Sequence, residues 1–281
     1  MQYYFPDNVL AEYFYEYYFG VVSYEISCIK EFRVILEYIL VSLLIGFVSG
    51  VFGIGGSIIS TPVLKIFFGL PDLIALASPL PVTIPTALSG VYGYWKSGAI
   101  NKRIALLTLV GGMPATIFGA LGTKIIAGQW LMLLRGILII LVGIRLIKTG
   151  KPLPIELKND KQKVVLGLIA GIMVGILSGL LAVGGGIVMV PIFILLFGLT
   201  MQEAAATSLL CLAFLAIPGT LTHWYLGNID WYLVMIFTIG VIPASYLGSK
   251  FAMKVKSGPL QVAFSIFIIL FGIYFILDQM Y

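Results

Sequence analysis

The sequence predicts an all-α polytopic membrane protein made of two homologous repeats of about five apolar segments each, and three observations carry that prediction. Of the 281 residues, 60 % are hydrophobic and 10 % charged, with a mean hydropathy of +1.08. An average soluble domain carries about 25 % charged residues. Several windows of about 18 or more residues hold few or no charges, long enough to cross ~30 Å of hydrocarbon as α-helix. These runs are continuous rather than alternating with period two, which argues against a β-barrel. Finally, residues 46–70, GFVSGVFGIGGSIISTPVLKIFFGL, return at 175–199 as GILSGLLAVGGGIVMVPIFILLFGL, an offset of 129 residues.

At that offset Gly46, Ser49, Gly50, Gly55, Gly56, Ile58, Pro62, Phe68, Gly69 and Leu70 meet identical residues. The register holds without a gap through Trp95 and Trp224, Gly98 and Gly227, Gly111 and Gly240, Pro114 and Pro243, and Gly119 and Gly248. At roughly 30 % identity over ~100 residues the repeat is too long and too apolar for a solenoid unit, and suits a duplicated membrane half. The chain therefore divides into an aromatic-rich segment at 1–33, repeat 1 at 34–148, a basic linker at 149–163 and repeat 2 at 164–281.

Residues 1–33 crowd Tyr and Phe around Asp7, Glu12 and Glu16 and fit an interfacial helix, since aromatic rings favour the headgroup level. Apolar segments are expected at 34–52, 58–70, 73–95, 104–121 and 130–147, then at 164–183, 187–199, 204–226, 231–247 and 260–277. The second segment of each set is too short to cross alone. It follows Gly55-Gly56 or Gly184-Gly185-Gly186 and contains Pro62 or Pro191. Paired short, Gly/Pro-broken segments at the centre are the best sequence pointer to a transporter site.

The net charge of +5 comes from Lys and Arg gathered in short loops, a positive-inside pattern rather than a nucleic-acid footprint. Five crossings per unit place Lys96, Lys102 and Arg103, the linker, and Lys250, Lys254 and Lys256 on one side, which predicts inverted halves with both termini outside. Cys28 and Cys211 form no CxxC pair and read as buried or incidental thiols, without disulfide, zinc or other metal ligation.

The glycine clusters lie where two helices join. The first N–H groups of the following helix lack internal partners, and its end carries roughly half a positive charge. Two such ends meeting at the midplane would bind an anion without a buried Lys or Arg; the alternative is that the glycines only permit a tight bend. Gly55, Gly56, Ser57, Gly184, Gly185 and Gly186 are the candidate ligands. Ser78 and Thr207 occupy matched positions, with Ser208 beside the latter, and their hydroxyls either meet a substrate oxygen or bond back to the helix.

Glu203 reads as the far end of a capping box begun by Thr200. Glu37, Lys65 and His223 are the candidates for carrying coupling protons, each near a segment end where a snorkelling or interfacial role competes. Trp95, Trp130, Trp224 and Trp231 fit interface belts. No HExxH, GxSxG or Walker sequence occurs, so neither an enzyme nor a cofactor is indicated, and transport would be secondary or channel-like.

The Gly-Gly…Pro stretches, together with Ala204-Ala205-Ala206-Thr207-Ser208-Leu209 and Gly227-Asn228-Ile229-Asp230-Trp231, resemble the TauE/SafE sulfite exporter family of membrane anion transporters. The resemblance covers 34–277. It implies ion-coupled transport, with a proton or sodium, of small sulfur oxyanions such as sulfite or sulfoacetate-like sulfonates across the cytoplasmic membrane. It places Gly55, Gly56, Pro62, Gly184, Gly185, Gly186, Pro191, Thr207 and Ser208 at the family's motif positions. Ser78-Pro79 departs from the Thr-Ser pattern. Read from the residues alone, the cargo is any small anion, with carboxylate, nitrate and phosphate as alternatives; the partners are that anion and the bilayer, with no nucleic acid.

Overall fold

The computed structural model describes residues 33–124, 128–149, 160–181 and 185–278. The aromatic segment, most of the basic linker and Gly184 lie outside the described residues. Among the described residues the secondary structure is all helical. The helices are α1 (Arg33–Phe52), α2 (Ser57–Ile66), α3 (Asp72–Ala77), α4 (Pro79–Trp95), α5 (Lys102–Gly122) and α6 (Gly128–Thr149). They continue as α7 (Asp160–Leu181), α8 (Gly186–Phe197), α9 (Met201–Tyr225), α10 (Trp231–Ala252) and α11 (Ser257–Asp278).

Each expected apolar segment contains a helix. The segment at 73–95 is divided at Ser78, because Pro79 and Pro81 have no N–H to continue the ladder. The segments at 58–70 and 187–199 yield shorter helices than expected. Gly69 donates to the Lys65 carbonyl and Leu70 to that of Leu64, while Gly198 donates to Ile194 and Leu199 to Phe193. Both short helices thus end in the same turn, at a glycine of positive φ, whose amides close back onto carbonyls of the last helical turns.

Among the described residues seven spans are long and apolar enough to cross a bilayer: α1, α3 with α4, α5, α7, α9, α10 and α11. The stretch Gly136–Ile147 of α6 and helix α8 are shorter apolar helices. α2 and α8, at 10 and 12 residues, rise only about 15 and 18 Å. α9 and the α3–α4 span form the interior, 78 % and 72 % buried against 33 % for α1 and 28 % for α11. The outer helices present Leu44, Val110, Phe118, Leu141, Met235 and Leu270 outward. Large apolar side chains exposed on so many helices suit a lipid environment.

With lipid as apolar as the interior, helix packing depends on close contact. α7 approaches α5 until a Cβ at Gly175 would stand 2.8 Å from Gly112 Cα, and one at Gly171 3.0 Å from Thr108 Cα. α1 approaches α10 as closely, for a Cβ at Gly46 would lie 2.7 Å from Val241 Cα. Among α2 to α11 the most extensive pairings are α5 with α7, α4 with α10, α6 with α11, α4 with α9 and α5 with α9. Helix starts follow the sequence: Asn101 caps α5, Asp230 caps α10, and Thr200 with Glu203 forms the expected capping box of α9.

Candidate functional site

After α1 the chain turns through Gly53, Ile54, Gly55 and Gly56 before α2 begins, and Gly185 stands in the same relation to α8. Gly56 has φ 80 and ψ −24 and Gly185 φ 82 and ψ −13, both left-handed. A side chain in that conformation costs about 1–2 kcal/mol, so glycine is required for the turn itself. Neither helix has a side-chain cap. The intrahelical ladder starts only with Ile59 and Ser60 donating to Gly56 and with Val188 and Met189 donating to Gly185. Two positive helix ends are therefore left without a side-chain acceptor.

The two breaks touch. A Cβ on Gly186 would lie 2.7 Å from Ile54 Cα, so the start of α8 rests directly on the backbone of the first turn. That turn is pressed against α9 at Ala205 and against Thr83 and Leu212 at Gly55. Its carbonyls are held: Ser208 Oγ donates to Gly53 O at 2.7 Å and Thr83 Oγ1 to Gly55 O at 3.0 Å. Residues 53–57, 185 and 186 are all buried. The Lys, Arg, Asp and Glu side chains that are described are all at least partly exposed, so the helix ends supply the local positive potential.

The other candidate residues divide between this place and its supports. Ser208 joins the break, and Pro62 and Pro191 lie buried inside α2 and α8. Ser78 Oγ accepts from the Asp230 amide at 2.9 Å, and Thr207 Oγ1 from the Asn101 amide at 3.0 Å. Both fasten the turns that lead into α10 and α5. Ser57 is fully buried in the first turn of α2, and its carbonyl accepts from Thr61. Glu37 pairs with Arg33 at an exposed edge, at 3.0 Å, and Lys65 with Asp72 at 3.2 Å.

His223 is fully buried, with Nε2 3.3 Å from Gly179 O and Nδ1 3.5 Å from the Asn228 amide nitrogen. Donation to the carbonyl assigns the proton to Nε2 and leaves Nδ1 as acceptor. Tyr94 does the same for the other break, its hydroxyl donating to Gly50 O at 3.0 Å. Two residues without an assigned role in the sequence also reach the breaks: Ser49 and Ser178 are buried, and their hydroxyls have no partner. Their one sequence signal is identity at the repeat offset.

A sequence model described as sulfite exporter TauE/SafE matches residues 38–275. The chain is 26 % identical to the probable membrane transporter protein YunE of Bacillus subtilis over 235 residues, covering 75 % of this chain and 85 % of that protein. It is 27 % identical to the probable membrane transporter protein MJ0441 of Methanocaldococcus jannaschii over 263 residues, covering 88 % and 97 %. A probable membrane transporter protein of Xylella fastidiosa strain 9a5c is 28 % identical over 242 residues, covering 83 % and 91 %. No solved structure matches the chain.

Proposed function

The chain belongs to the sulfite exporter TauE/SafE family and is a multi-pass membrane transporter, and from that premise we propose that it carries small sulfur oxyanions, sulfite or sulfonates, by alternating access about the paired glycine breaks. The observation that carries this reading is the meeting of two uncapped helix ends in an interior where none of the described Lys, Arg, Asp or Glu side chains is buried. Each end is worth roughly half a positive charge, so the pair balances about one anionic group. Sulfur oxyanions offer several acceptor oxygens to such donors. Gly55, Gly56, Ser57 and Gly184 to Gly186 form the cage in this reading, with Ser208 fixing the first turn and Ser78 and Thr207 the loops beside it.

Two inverted halves about a pseudo-twofold axis in the membrane plane fit the chemistry of the supports. Ser78 with Asp230 and Thr207 with Asn101 are the same bond displaced by 129 residues, as are Tyr94 with Gly50 and His223 with Gly179. The membrane is the cytoplasmic one, and a proton or sodium gradient drives the cycle. The burial of the whole first turn favours a carrier with an enclosed site over an open anion channel.

Reconstituted vesicles test this with labelled sulfite, sulfoacetate and sulfate. Saturable uptake of a sulfur oxyanion, abolished by Gly185→Leu, is expected. Folded protein that takes up none of them would remove the proposed cargo, and large unitary currents would replace the carrier with a channel.

A further inference from the structure

Four buried side-chain oxygens among the described residues lack a hydrogen-bond partner: those of Ser49, Thr108, Ser178 and Thr220. Burying a hydroxyl without a partner is unfavourable, so each orphan raises the question of what it serves. A hydroxyl inside a helix has a ready default in the carbonyl four residues earlier, used here by Thr86 at 2.6 Å and Thr116 at 2.9 Å. Ser49 and Ser178, late in α1 and α7, do not use it.

Their surroundings set these two apart. A Cβ built on Gly56 would lie 3.8 Å from Ser49 Cβ and 4.0 Å from its Oγ. One built on Gly185 would lie 3.3 Å from Ser178 Cβ. Each serine thus projects from the helix before a break to the residue that opens the helix after it. They are 0 % and 1 % exposed. Thr108 instead lies in the α5–α7 seam opposite Gly171, away from either helix end.

We propose that Ser49 and Ser178 are substrate-binding residues, each donating its hydroxyl to an oxygen of the anion whose charge is balanced by the starts of α2 and α8. The proposal rests on the functional reading above and adds what that reading lacks, namely directional donors, one from each side. A ligand held this way needs two acceptor oxygens facing different ways on one anionic head group, as in a sulfonate or bisulfite. A hydroxyl can turn and releases its hydrogen bond without separating two charges, which suits a carrier that must let go.

The test measures binding of sulfite and methanesulfonate to purified wild-type protein, Ser49→Ala, Ser178→Ala, the double variant and Thr108→Val, together with the unfolding temperature of each without anion. Each serine variant should bind both anions on the order of tenfold more weakly, and the double variant on the order of a hundredfold. Their anion-free unfolding temperatures should be unchanged or raised, since an unsatisfied buried group has been removed. Thr108→Val should bind as the wild type does. Serine variants with wild-type affinity, or with lowered anion-free stability, would overturn the assignment, as would an equal loss in Thr108→Val. Failure of the wild type to bind either anion would instead remove the functional reading and this proposal together.

Discussion

Tyr94 and His223 show how a single side chain can hold a helix end at a break. Each donates to the carbonyl of a glycine in the closing turns of the helix before the break, Gly50 for Tyr94 and Gly179 for His223. Tyr94→Phe removes only the hydroxyl, so stability should fall by about 1–2 kcal/mol, the cost of stranding a buried carbonyl. Tyr94 also lies 3.2 Å from Val51 O, which places the loss toward the upper part of that range. For His223, donation from Nε2 and acceptance at Nδ1 describe a neutral ring in a structural role. His223→Phe should therefore lower stability by about the same amount, while the dependence of sulfite uptake on pH keeps its shape. A profile that flattens or moves would make His223 a carrier of coupling protons. Thermal unfolding and uptake measured from acid to alkaline pH separate the two outcomes.

The turns that lead into α5 and α10 are each fastened by a hydroxyl more than a hundred residues away, and those fastenings can be cut one at a time. Thr207→Val keeps the shape of the side chain but leaves the Asn101 amide unpaired, and Ser78→Ala does the same to Asp230. Each should cost about 1–3 kcal/mol. The double variant should show nearly the sum, because the two pairs share no atom. Reduced uptake with unchanged stability would instead show the hydroxyls meeting substrate. The existence and order of the helices were legible because continuous apolar runs separated by charged or glycine-bearing turns leave few alternatives in a membrane. The early ends of α2 and α8 were less so, since the glycine-leucine pairs at 69–70 and 198–199 read as apolar until their amides are seen closing the last turn. The glycine breaks were legible as a site candidate through their duplication. The work of the hydroxyls was not, because sequence shows a donor but not which carbonyl or amide lies across the bundle from it. Ser49 and Ser178 were visible as a matched pair, yet their missing partners appear only in three dimensions.

At the scale of the whole molecule, sequence halves and packed units are different things. Among α2 to α11, each of the five most extensive helix pairings joins an element before residue 150 to one after residue 159. The close α1–α10 contact at Gly46 and Val241 does so as well. A motion that pulled the first half away from the second would break all of these seams. Motions compatible with them carry α7 with α5, and α10 with α4 and α1, so the proposed alternating access would move bodies that each draw helices from both halves. The same interlocking governs folding. A half produced alone would expose the glycine-lined faces of α5 and α1 that α7 and α10 normally cover, and its central helix α4 would lose both α9 and α10. Close contact between small residues drives helix association in lipid, so those faces have nothing equivalent to pack against. Residues 1–155 and 156–281 made as separate chains should each be polydisperse in detergent and readily proteolysed. Made together, they should copurify and restore sulfite uptake, because every seam can then re-form across the cut. A first half that is monodisperse and protease-resistant alone would show that it owns a core of its own, and the moving bodies would then follow the repeats after all.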